Sequence, residues 1–226
     1  MFDRIKRVAR IVAALSLLLL GAQAPGDEPF GLQSLPARAS FMAATWEALR
    51  AEMAAERPLI LRCRADRETC PSDAALLYLA IVDAGLEQAG LARIGHINRA
   101  ANFAIGAGQN IADNRWTAPL AALSAGAGDC KQYSVLKYSA LRDAGYAAAD
   151  VRIIVMASRF VREAHAIATV RHEGRWLMLD NRSLALVDGE EILKRYVPLY
   201  ILDHNGVREF TVPVAYSDQD ASCGLG

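Results

Sequence analysis

No surplus of either charge marks the chain. Its 25 lysines and arginines balance 25 aspartates and glutamates, and no basic run gathers into an arm or patch. Nucleic acid and anionic membranes are therefore poor partners for it. Internal repeats and low-complexity tracts are lacking too, which excludes a repeat architecture. Long apolar runs are scarce. The one candidate, Ile11 to Leu20, is too short to span a bilayer comfortably. It follows Arg4, Lys6, Arg7 and Arg10 and precedes "GAQA", the three-part plan of a secretory signal peptide. A cut after Ala24 would leave Pro25 at the new N-terminus, so a cut after Ala22 is expected, with an uncleaved anchor as the alternative. Residues 1–22 take four basic side chains and one acidic one with them, leaving 21 basic and 24 acidic.

Cysteine is sparse as well, at four residues. In the oxidising compartment that export implies, thiols tend to pair. Cys63 and Cys70 lie close together in "RCRADRETCP" and are expected to form a local disulfide. Cys223 sits in the tail "SDQDASCGLG" with no evident role. Cys130 is the thiol left over.

What is present suits one globular core: 53% of residues are hydrophobic, over a length that demands no second domain. Residues 23–40 read as a lead-in linker, 41–213 as the domain and 214–226 as a C-terminal tail. Helical spacing runs from Ser40 to Glu56 and stops before Pro58. A second helix starts at an N-cap, Ser72, and stops at Gly90, and a third covers "LARIGHINRAANFAI". A short turn of helix is expected in "TAPLAAL". Past residue 150 the apolar period changes from about 3.6 to 2. Segments 151–157, 164–171, 175–180 and 197–203 read as strands, with hairpin turns at Glu173–Gly174 and Asn205–Gly206. Helices first and an antiparallel sheet second imply an α+β fold with the helices packed on one face.

The segment "AGAGDCKQYSVLKYSALRDAGY" sets Cys130 where a glycine-rich loop becomes a helix. Asp129 fits the N-cap and Gln132 falls three residues later, a capping-box spacing. A thiol in the first helical position meets the positive end of the macrodipole and unpaired backbone N–H groups. Both favour the thiolate, and the N–H groups can also receive an oxyanion. The Asp129 charge pulls the other way. Of the four histidines, only His165 lies inside an apolar β run; His172 and His204 fall at turns and His96 on a helix. If Glu173–Gly174 is a two-residue turn, His172 pairs with Arg175 and Asp180 becomes a diagonal neighbour of His165. A three-residue turn would throw Asp180 to the other face. Cys130, His165 and Asp180 then form a candidate nucleophile, base and orienting acid.

At these residues the sequence closely resembles the bacterial transglutaminase-like cysteine proteinases, the group that includes the LapG-type periplasmic proteases. The resemblance covers about Cys63 to Asn181 and includes "INRAANFAI", "DNRWTAPLAAL", "GDCKQYSVLKYSALRDAGY", "AHAIATV" and "LDN". It implies a papain- and transglutaminase-related fold, a periplasmic location, and a Cys130–His165–Asp180 triad that cleaves a protein or peptide substrate through a thioester. Trp116 would wall the substrate cleft or supply an indole N–H. A membrane-bound regulator enters as a candidate partner. The alternative on the same site is another acyl transfer, by a cell-wall peptide amidase or a transglutaminase. One departure stands out. LapG-type members carry acidic residues just after the cysteine and bind calcium there, whereas Lys131 and Gln132 occupy those positions here. A lysine ammonium repels a cation that needs several oxygen ligands, so no cofactor and no calcium are expected.

Overall fold

The computed structural model describes residues 28–37, 40–108 and 115–211. The expected leader, the start of the lead-in and the tail with Cys223 lie outside the described residues. Among those described, no helix is long and apolar enough to cross a membrane.

The first helix, α1 (Phe41–Ala65), begins where Ser40 Oγ accepts the Ala43 N–H at 3.1 Å. It does not stop before Pro58 but runs through it for another two turns. Proline there forfeits one backbone hydrogen bond and costs about 3 kcal/mol. Beyond it, Ile60 and Cys63 are buried in the core, and Cys63 is bonded to Cys70 as expected. Core burial and the crosslink outweigh the local preference. Helix α2 (Asp73–Leu86) is capped by Ser72, whose Oγ takes the Ala75 N–H at 3.2 Å. Gly90 does not end it. With φ at 53°, this glycine instead opens α3 (Gly90–Ala104) after a short turn. Two short strands, β2 (Gly106–Ala107) and β3 (Ala127–Gly128), pair in parallel on either side of α4 (Pro119–Ala125). Helix α5 (Cys130–Asp143) follows β3.

The remaining strands are β1 (Ser34–Pro36), β4 (Val151–Ser158), β5 (Ala164–His172), β6 (Arg175–Leu179), β7 (Tyr196–Asp203) and β8 (Gly206–Phe210). They form one antiparallel sheet in the order β1-β8-β7-β4-β5-β6. Strand β4 is central and every residue in it is buried, so its two faces can be told apart only by what they touch. Val151, Ile153 and Val155 join a large core with α1, α2, α3 and α5, while Ile154 and Met156 face a smaller one. That second core is closed by Ile192 of α6 (Gly189–Arg195) and by Phe30. The α+β class holds, with most helices on one face and a thin cover on the other. Ala164, Ala166 and Ala168 of β5 turn three small side chains into the large core, which lets α5 lie close against the strand.

Besides the short β2 and β3, two strands of the large sheet are absent from the periodicity reading. The lead-in supplies β1, held against β8, and Gly206 starts β8 with φ at 118° after a His204–Asn205 turn. An ionic cluster pins the lead-in to the sheet. Arg152, almost fully buried, pairs with Glu28, lies 3.8 Å from Asp203 and stacks over the Trp176 ring at 4.7 Å. Arg208 also reaches Glu28, at 3.2 Å.

Candidate active site

Asp129 caps α5. Its Oδ1 accepts the Lys131 N–H at 2.8 Å, the Lys131 ammonium pairs with its Oδ2, and Gln132 Oε1 accepts the Asp129 N–H at 3.1 Å. The capping box read from the spacing is therefore formed. Gln132 also donates to the Arg115 carbonyl at 2.7 Å, tying the loop before α4 to the helix start. Gly128 is required here, because a Cβ on it would stand 2.6 Å from Gln132 Cβ. These contacts fix Cys130 as the first helical residue. It is buried and outside any disulfide.

His165 and Asp180 come from one hairpin. Glu173 and Gly174 form the two-residue turn with φ of 50° and 77°, and His172 pairs with Arg175. Counting back from Ala168 opposite Leu179 leaves Asp180, the first residue past β6, diagonal to His165. Its Oδ1 lies 2.9 Å from His165 Nε2 and also accepts the Arg182 N–H at 3.0 Å. Nδ1 is the ring nitrogen left for the Cys130 side. The structure thus brings together the three residues that the sequence singles out.

The electrostatics of the group are mutually reinforcing. Burial works against a charge on His165, but its hydrogen bonds to Asp180 and to Cys130, with their negative charge, raise its pKa to about 9. Burial works to raise the Asp180 carboxyl, and the His165 hydrogen bond and charge more than offset it, so the group ionises below the usual range. The imidazole ring stacks on Tyr196 with centroids 5.2 Å apart, and Arg182 donates to the Tyr196 hydroxyl at 2.7 Å. Such an arrangement can hold a thiolate–imidazolium pair and move one proton between sulfur, ring nitrogen and a leaving group.

Trp116 is half-buried and packs against the large core that includes Cys130. Its neighbour Arg115 is the residue held by Gln132. Sequence reasoning missed Tyr196, Arg182 and Lys137. Tyr196 gives no local signal, since only the pairing of β4 with β7 delivers it to His165. Lys137 did leave one: it stands seven residues after Cys130, two turns along the same helix face.

Three solved structures similar to this chain are LapG of Legionella pneumophila. The calcium-bound form matches with a TM-score of 0.57 at 17% identity, covering 70% of this chain and 91% of that one. A second structure gives 0.56 at 18%, covering 66% and 87%, and the EGTA-treated form gives 0.57 at 17%, covering 70% and 88%. At such identities the likeness is one of fold. It also corrects the cofactor expectation. Calcium-bound and EGTA-treated forms of so similar a structure point to calcium, against the "none" drawn from Lys131 and Gln132. The repulsion argument concerned two side chains, whereas calcium draws on six to eight oxygens that include backbone carbonyls and water. In this chain the Lys131 ammonium lies on Asp129, and among the described residues no three His, Cys, Asp or Glu side chains gather as a cage. Those side chains do not by themselves fit the ion, and no chemical step is derived through it.

Curated proteins offer no match to the chain. The family model of the bacterial transglutaminase-like cysteine proteinases matches residues 60–198, from the second half of α1 to the start of β7. That span holds the capped cysteine helix and the whole His–Asp hairpin, and it is well over half the chain. The chain belongs to the bacterial transglutaminase-like cysteine proteinase family.

Proposed function

We propose that the protein is an exported cysteine endopeptidase in which Cys130 is the nucleophile, His165 the general base and then acid, and Asp180 the orienting carboxylate. The observation that carries this reading is His165 itself, buried, bonded through Nε2 to Asp180 at 2.9 Å, and raised to about 9 by Asp180 and Cys130 together. His165 Nδ1 takes the Cys130 proton, and the thiolate attacks the scissile carbonyl of a protein substrate. The Cys130 backbone N–H, in the first turn of α5, supports the resulting oxyanion. Nδ1–H then protonates the departing amine and leaves a thioester. Water, deprotonated by the same nitrogen, attacks the thioester carbonyl, and the released thiolate regains its imidazolium partner. Asp180 stays ionised throughout and holds the ring so that Nδ1 faces sulfur. Trp116 belongs to the same proposal as a wall of the substrate cleft.

The Cys63–Cys70 disulfide supports the exported setting, since such a bond persists in oxidising compartments. Subcellular fractionation tests the location. A membrane-bound regulator is part of the same reading, and co-purification from detergent-solubilised membranes tests it. The function is tested by incubating the protein with a mixed peptide library and sequencing the products by mass spectrometry. Wild type is expected to cut internal peptide bonds, and Cys130→Ala and His165→Ala to cut none. Products carrying an added amine donor, or cleavage confined to muropeptides, would replace the endopeptidase reading with the transglutaminase or amidase one.

A further inference from the structure

Lys137 is an ionisable side chain with no place in the steps above, yet it is fully buried. It shares a face of α5 with Cys130, and its ammonium donates to the Leu179 carbonyl at 3.2 Å. Its nitrogen also lies 5.9 Å from the centre of the Tyr133 ring. Leu179 is the last residue of β6 and Asp180 is the next in the chain. Burying an ammonium costs several kcal/mol, and methionine would fill the same space without that cost. The contact therefore calls for a role other than packing.

We propose that Lys137 is a positioning residue, whose bond to the Leu179 carbonyl ties the nucleophile helix to the end of β6 and so holds Asp180 against His165. The inference rests on the triad reading above. Asn102 of α3 provides a weaker second restraint, donating to the Asp180 carbonyl at 3.4 Å and to the Ser183 carbonyl at 3.0 Å. The backbone on both sides of Asp180 is thus held from two helices, and Lys137 is the ionisable member of the pair. Burial lowers its pKa to about 7, with Asp180 opposing the fall.

Charged and titratable groups reach this contact from several of the described elements. Helix α5 contributes Cys130 and Tyr133, β5 contributes His165, and the end of β6 contributes Asp180. The following loop brings Arg182, which donates to Tyr196 of β7. Helix α3 turns neutral Asn98 and Asn102 inward, while its His96 and Arg99 are exposed. Lys137 joins the helix of the nucleophile to the end of the strand that precedes the acid.

The test is the pH profile of Cys130 alkylation by iodoacetamide, read by peptide mapping, on wild type, Lys137→Met and Lys137→Gln, with thermal melting as a check of fold. Methionine keeps the volume and removes the tether; glutamine keeps a donor. In Lys137→Met, with melting intact, the acid limb is expected about one pH unit higher, a tenfold loss of rate along the limb. Lys137→Gln is expected between Lys137→Met and wild type. A merely structural residue would change melting and leave the profile in place. A Lys137→Met profile that coincides with wild type, or moves to lower pH, overturns the proposal. If Lys137→Met fails to fold, Lys137→Gln decides in the same way: a raised limb supports the tether and an unmoved one overturns it. A wild-type profile with an ordinary thiol midpoint overturns the triad reading, and the role of Lys137 falls with it.

Discussion

Substituting Asp180→Asn removes the charge beside His165 while keeping an oxygen for Nε2 to meet. In the wild type, the rise of His165 from 6.5 to about 9 corresponds to about 3 kcal/mol of preference for imidazolium. That preference survives burial, which alone would lower the pKa, and the Asp180 hydrogen bond is the largest favourable contribution to it. Without the carboxylate the burial penalty remains, so the ring is expected to be largely neutral at neutral pH. The Cys130 thiolate then loses its counter-ion. The midpoint is expected to move up towards ~8.5, which leaves about 3% of the thiol ionised near pH 7 and lowers the iodoacetamide rate there by about 30-fold. Stopped-flow alkylation across pH, with His165→Ala as the limiting case, measures both quantities. An Asp180→Asn profile that superimposes on wild type would refute the electrostatic argument, whatever happened to peptidase activity.

The same pair makes stability depend on pH. Asp180, with a lowered pKa, contributes above its unfolded value near ~4; His165, with a raised one, contributes below ~6.5 and loses its share as pH rises through about 9. Urea unfolding of wild type and Asp180→Asn is therefore expected to differ most between ~4 and ~6.5, and the gap to narrow above about 9. Farther along the sheet, Glu28→Ala strips a partner from buried Arg152 and is expected to cost about 3 kcal/mol in denaturant unfolding, with the Cys130 alkylation profile unchanged. Replacing Cys63 and Cys70 together by alanine opens a loop of seven-residue separation and should cost about 2 kcal/mol, again without effect on Cys130. Gly128→Ala drives a methyl group into Gln132 and is expected to lose about 2 kcal/mol of stability together with the capping box. An alanine variant that melts like wild type would show that the helix start can yield.

The parts of the site legible in the sequence are those set by short-range geometry. A capping box has a fixed spacing, so Asp129, Cys130 and Gln132 declare a helix start without tertiary information. A two-residue turn fixes hairpin register, so Glu173–Gly174 was enough to place Asp180 beside His165. The misreadings share a cause. Pro58 and Gly90 were read by local preference, and tertiary packing overrode the first while a short connection made the second a beginning rather than an end. Strand β1 was missed because three residues show no period, and its place depends on a partner, β8, more than 170 residues away. Tyr196 was invisible for the same reason, since only the β4–β7 pairing brings it onto the imidazole. The calcium expectation failed differently, by treating two side chains as if they were the whole coordination sphere.

The hairpin that carries His165 and Asp180 closes over fifteen residues, whereas Cys130 reaches it only when α5 settles on β5. Acid and base can therefore meet early, as a local event, while the sulfur joins them last. Until that docking is complete the sulfur has an ordinary thiol's acidity and no partner to accept its proton. A nascent or partly unfolded copy of this protein on that account carries no activated nucleophile. Latency of this kind needs no inhibitory segment, because the order of assembly supplies it.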